Sequence, residues 1–156
     1  MTIRNLTRET KTIRLRPDGS GFTVAAGVTT PLNGDAVDTA GWDGVRFMTG
    51  FGAIVSGGVQ SCKVQQGEQA NLSDAVDLAG SSRAVGDTDD NKVAVIEIVR
   101  PAERYLRCVT LRATQNATID FQVAELFRTR DEPVTQDSSI VGATHVFLLT
   151  PAEGTP

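Results

Sequence analysis

Along most of this chain apolar and polar residues alternate with a period of two, the signature of strands with one face in a core. From position 45, Val45, Phe47, Phe51, Ala53 and Val55 share one parity, while Arg46, Met48, Gly50 and Gly52 share the other. The small glycines leave room for another strand or a neighbouring subunit to approach closely. After Ser56-Gly-Gly58 a second strand is predicted over 59–66. Residues 117–127 alternate again, with Ile119, Phe121, Val123 and Phe127 predicted inward and Asp120 and Gln122 outward. Between these lies 92–112. Val93, Ala94, Val95, Ile96, Ile98 and Val99 form an apolar run broken only by Glu97, the pattern of a strand covered on both faces. Pro101 lacks a backbone donor and ends it. Tyr105, Leu106, Cys108, Val109 and Leu111 then supply a second strand, so the segment reads as a hairpin about an Arg-Pro corner with Arg104, Arg107 and Arg112 at its rims.

The remaining segments are shorter. Residues 2–7 and 11–16 read as two charged strands around a turn at 8–10, and Pro17-Asp-Gly-Ser-Gly21 is a turn. A third strand is expected over 22–26, and 27–43 reads as loop with a brief strand near 36–39. Residues 72–79 fit a helical turn or a short strand, and their length does not decide between them. Strands punctuated by turns, with no long helix and no repeat, predict an all-β fold, an antiparallel β-sandwich or jelly roll with extended terminal arms. Residues 1–133 form one β domain with a basic N-terminal segment, and 134–156 form a C-terminal arm or docking strand. Such a sheet has edges to protect, and subunit association or arm exchange would protect them.

Composition agrees with that picture: 156 residues, 40% hydrophobic, 15 glycines and few aromatics suit one turn-rich domain with its own core. Charge changes it more. Residues 1–16 carry five basic side chains and one acid, 17–99 carry four and eleven, and the remainder six and seven. An acidic body with a basic start argues against nucleic-acid binding, which wants a broad basic face. The start reads either as a solvated edge strand with protective charges or as a contact for an acidic protein surface. No apolar run is long enough to span a bilayer and the start lacks a signal-peptide core, so a cytosolic product without membrane contact is expected.

Catalytic chemistry is hard to assemble from these residues. Cys62 and Cys108 lack metal-ligand spacing and read as buried thiols, a cross-strand disulfide being the other option. His145, the single histidine, sits in the tail without an evident rigid support. Asp87-Thr-Asp-Asp-Asn91 resembles the start of a calcium loop, but Lys92 stands where glycine is needed and Ile98 where the closing glutamate is needed, so a solvated turn is expected. No pair of carboxylates stands out for hydrolysis. The expectation is a protein that is not an enzyme, with no catalytic residues, metal or cofactor.

Several phrases in order carry a resemblance: Gly41-Trp-Asp-Gly-Val-Arg-Phe47, Val64-Gln-Gln-Gly67, Leu72-Ser-Asp-Ala-Val-Asp-Leu78, Asp87-Thr-Asp-Asp-Asn-Lys92, Arg100-Pro-Ala-Glu-Arg-Tyr-Leu-Arg107, Pro133-Val-Thr-Gln136 and Pro151-Ala-Glu-Gly-Thr155. Across 41–155 the chain resembles a family of small structural proteins of tailed bacteriophages. The resemblance implies a virion protein, made in the bacterial cytoplasm, that decorates the head surface as a cement protein. Its implied partners are the major capsid protein and itself, as a homotrimer or a dimer, with no nucleic acid and no membrane. Candidate shell or subunit contacts are Arg4, Arg8, Arg14 and Arg16 in the basic start, Arg100, Arg104 and Arg107 at the corner, and Val146, Phe147 and Leu148 in the tail. For the corner arginines the other reading is pairing with Glu97 or Glu103. A tail or fibre module recognising host glycan through Trp42 or Tyr105, and a small carboxylate hydrolase, are the rival functions.

Overall fold

The computed structural model describes residues 6–15, 31–112, 114, 115 and 117–146. A helical turn, α1 (Leu6–Glu9), leads into β1 (Thr10–Arg14), followed by β2 (Leu32–Asn33), β3 (Val37–Asp38), β4 (Trp42–Ile54), β5 (Val59–Gly67), β6 (Val76–Asp77), β7 (Arg83–Gly86), β8 (Val93–Val99), β9 (Tyr105–Arg112) and β10 (Ala117–Thr129). One sheet has the order β1-β10-β4-β8; the other has β2-β9-β5-β6, with β3 also on β9 and β7 also on β5. Every pairing among the described strands is antiparallel. The fold is an all-β sandwich, as the alternation predicts.

Its core lies between the sheets. Val45, Phe47, Phe51, Ala124 and Leu126 come from the first sheet, and Cys62, Val64, Leu106 and Cys108 from the second. A polar strut crosses it. Gln122 on β10 donates from Nε2 to Thr49 Oγ1 at 3.2 Å and to Thr110 Oγ1 at 3.3 Å, linking the two layers.

Three expectations fail for definable reasons. The segment 92–112 is not a hairpin: β8 pairs with β4 and β9 pairs with β5, in different sheets. At the corner Arg100 takes a left-handed φ of 52° and donates its N–H to Asp43 O at 2.7 Å, while Arg104 O accepts from Thr39 N at 3.0 Å. The chain is thereby held on both layers and crosses the end of the sandwich. Second, β8 is covered on one face only. Ala94 is buried and Ile96 and Ile98 are half-buried against the core, but Val93, Val95 and Val99 are 49%, 49% and 54% exposed. The apolar run belongs to an edge strand.

Third, the alternation inverts in β10. Gln122, Ala124 and Leu126 are buried, whereas Phe121 is exposed and Val123 and Phe127 are half-buried on the outside. The register between β10 and β4 shifts twice between Ala117 and Phe121, once by an extra residue on β4 between Phe51 and Ile54 and once by an extra residue on β10 between Ile119 and Phe121, and each inverts the side chains beyond it on its own strand. For the same reason Ile54 is buried while Ala53 and Val55 are exposed. The glycines opposite are already covered: a Cβ on Gly50 would overlap the Phe121 ring and one on Gly44 the Phe127 ring.

At the start, residues 6–9 form the helical turn where a strand end and a turn are expected, closed by Thr10 Oγ1 donating to Leu6 O at 2.7 Å. The expected strand at 22–26 lies outside the described residues. Residues 72–79 resolve to the two-residue strand β6, with Leu72 buried at a φ of 52°.

Candidate functional site

The inverted alternation gives the first sheet an unusual outer face. The pairing registers align its side chains in rows: Phe121, Gly50 and Val93; then Arg14, Val123, Met48 and Val95; then Thr12, Glu125, Arg46 and Glu97; then Thr10, Phe127, Gly44 and Val99. Across β10, β4 and β8, apolar rows thus flank one charged row, with Arg14 of β1 at the rim. Within that row Arg46 is ion-paired to Glu125 and stands opposite Glu97 on its other side. A groove of about 340 Å³ opens here between Leu6, Arg46, Val99, Phe127 and Arg128.

The two edges of this sheet are finished differently. Along β1, Thr12 N–H donates to Gln136 Oε1 at 3.1 Å and Arg14 N–H to Ser139 Oγ at 2.9 Å. Buried Gln136 also donates from Nε2 to Thr10 O at 2.8 Å and Thr7 O at 3.3 Å, and Lys11 pairs with Asp137 at 3.9 Å. Residues 136–139 therefore seal that edge with side chains in place of a docked strand. Along β8, Phe51 N–H donates to Lys92 O and Arg100 N–H to Asp43 O. By alternation Ala94, Ile96 and Ile98 exchange hydrogen bonds with β4, and the N–H and C=O groups of Val93, Val95, Glu97 and Val99 point away from it. Among the described residues nothing caps them.

The corner arginines are spread over one end of the sandwich. Arg104 grips Asp38 through two bonds, Nε to Oδ1 at 2.9 Å and Nη2 to Oδ2 at 2.7 Å, and lies 5.1 Å from the Tyr105 ring centroid. That fork holds the Asp38 carboxyl below the usual aspartate range and raises Arg104. Arg107 donates to Gln65 Oε1 at 2.8 Å. The partners are thus Asp38 and Gln65, not Glu97 or Glu103. Arg100 lines an open cleft of about 710 Å³ with Trp42, Glu68, Glu103, Arg104 and Arg130. Arg14 gives its N–H to the sealed edge, and Arg8 lies in α1. Val146 is exposed; Arg4, Arg16, Phe147 and Leu148 lie outside the described residues.

The remaining candidates have structural employment. Asp87, Asp89 and Asp90 accept hydrogen bonds from the N–H groups of Gly57, Gly86 and Ile54, capping turns. No group of metal-binding side chains occurs among the described residues. Cys62 and Cys108 are free thiols, each 1% exposed; their mutual hydrogen bond and burial push the Cys108 thiol up. The carboxyls with clearly displaced titration, Asp38, Asp77, Asp89 and Asp137, all lie low, the direction of paired anions and opposite to that of a general acid.

Sequence reasoning missed Val93, Val95, Val99 and Phe121 as surface residues and Gln136 and Ser139 as seals. The one available signal is Glu97, a charge that a doubly covered strand would not carry without a partner. No helix among the described residues is long and apolar enough to cross a membrane. Compared with known proteins, the chain matches no family model, and no curated protein matches it significantly.

Proposed function

We propose that the protein is a capsid decoration protein, a β-sandwich without catalysis that binds the outside of a tailed-phage head and stabilises it by bridging capsid subunits. The observation that carries this reading is the outer face of the first sheet, where exposed Val93, Val95, Val99 and Phe121 and half-buried Met48 and Val123 form apolar rows interrupted by one charged row. Clustered exposed apolar side chains of this kind mark association sites. The ordered sequence phrases that resemble virion structural proteins support a place on the virion. The described parts of the two proposed arms are tied to each other through Gln136 and Asp137, so the shell contact is drawn to the sheet face.

Co-sedimentation with purified expanded heads tests the reading. The wild-type chain binds, and Met48→Lys, which sets a cation in the middle of the apolar face, releases it. Binding to tails but not heads, or retention unchanged by Met48→Lys, contradicts it. A glycan-binding tail module is the second reading, favoured by Trp42 in the cleft beside Arg100 and Glu68. Loss of glycan binding in Trp42→Ala with no effect on heads would support that alternative.

A further inference from the structure

The open edge of β8 has the features of a self-complementary strand. It is bracketed by left-handed residues, Asn91 at a φ of 57° and Arg100 at 52°, and followed by Pro101, so only 93–99 can extend a sheet. A groove of about 320 Å³ separates 95–98 from the segment 78–83 of the other sheet, leaving the edge accessible. The strand is also electrically polar. Asp87, Asp89 and Asp90 precede it, with Lys92 paired to Asp89, whereas Arg100 follows it and Arg128 shares the groove at Glu97 and Val99, so the start is net acidic and the end net basic.

We propose that two copies of this chain associate by antiparallel pairing of their β8 strands about a two-fold axis at Ile96, joining their first sheets into one continuous sheet. In this register Val93 pairs with the second copy's Val99, and Val95 with its Glu97. All four outward residues then find partners, forming about eight interchain hydrogen bonds. The acidic start of each strand meets the basic end of the other, which a parallel arrangement would not achieve. A shift that centres the axis on Glu97 sets Glu97 against Glu97 and Val93 against Pro101, losing charge compatibility and a donor, and one that centres it on Val95 sets Val99 against left-handed Asn91, outside the strand. The register centred on Ile96 avoids both.

The other edges do not compete. β1 is sealed by Gln136 and Ser139, β2, β3 and β6 have two residues each, and β7 has four. Pairing also extends the outer face across both copies, and two weak footprints on a shell gain avidity of roughly 10² to 10⁴ over one. The association itself does not depend on the shell reading: a monomer could still bind heads, and a dimer could fail to.

Analytical ultracentrifugation over a dilution series tests it, with two sets of variants. The wild-type chain gives a concentration-dependent dimer. Val95→Pro removes an N–H that points away from β4, so the fold's own ladder is kept, and the dimer Kd rises roughly tenfold or more. Circular dichroism of that variant checks the fold. Ile96→Cys faces itself across the axis, at a Cα separation of about 4.5 Å that suits a disulfide. It therefore gives a covalent dimer with diamide, whereas Ala94→Cys and Ile98→Cys cross-link only when mixed. A wild-type monomer at every concentration, a dimer indifferent to Val95→Pro, or cross-linking that ignores position overturns the proposal.

Discussion

At one margin of the first sheet, β1 hands the N–H groups of Thr12 and Arg14 to Gln136 and Ser139; at the other, β8 holds out the backbone of Val93, Val95, Glu97 and Val99 beside half-exposed valines. Both are edge strands of the same sheet, and an uncapped edge is a template for another chain. The difference is that one margin is finished within the molecule. A sandwich with one sealed edge and one open edge pairs once and stops, giving a closed two-fold assembly, whereas two open edges would propagate.

The sharpest way to break this contrast is to unseal β1. Gln136→Ala removes three hydrogen bonds and strands a partly buried donor, so stability should fall by about 1–3 kcal/mol in a denaturant melt. Light scattering should also show assemblies larger than a dimer, because both margins are then open. Next is Glu97→Lys on the open side. Charged residues, lysine above all, guard natural edges, so dimerisation should weaken severalfold in ultracentrifugation. Fold stability should move by only about 0.5 kcal/mol, as for other surface changes. Ser139→Ala is milder: Arg14 N–H is exposed and water replaces the hydroxyl, for a loss of about 0.5–1 kcal/mol.

The smallest effect belongs to the charged corner, away from both edges. Asp38 titrates below its usual value in the folded chain because Arg104 holds it, so its ion pair contributes stability above the ordinary aspartate range. That contribution is lost as pH falls through the lower folded value. Both side chains are about half exposed, so solvent screening keeps the contribution small. A wild-type minus Asp38→Asn stability difference that shrinks as pH falls below the ordinary aspartate pKa, near 4, would match.

The sandwich was legible because alternation survives in β4, β5 and β9, whose inner residues are mostly apolar, with Thr49, Gln60 and Thr110 the buried polar exceptions. The outer face was not, because a bulge near Asp120 carries no sequence mark and inverts every later position of β10. Val123 and Phe127 look like core residues for this reason. The apolar run of β8 reads as doubly buried because periodicity reports hydrophobicity and not which face has a neighbour; only Glu97 hinted otherwise. The seal on β1 joins residues 124 and 125 positions apart through side chains, which no local pattern encodes. The corner misled for a simpler reason: an Arg-Pro turn suits a hairpin as well as a crossing between layers.

Amide hydrogen exchange, resolved residue by residue across a dilution series, tests the contrast between the edges most directly. Thr12 and Arg14 should be protected at every concentration, and Val93, Val95, Glu97 and Val99 should exchange fast when dilute and slowly when concentrated, while Ala94, Ile96 and Ile98 stay protected throughout. Fast exchange at the four outward amides of β8 at all concentrations, or protection of them in the dilute monomer, would contradict the account.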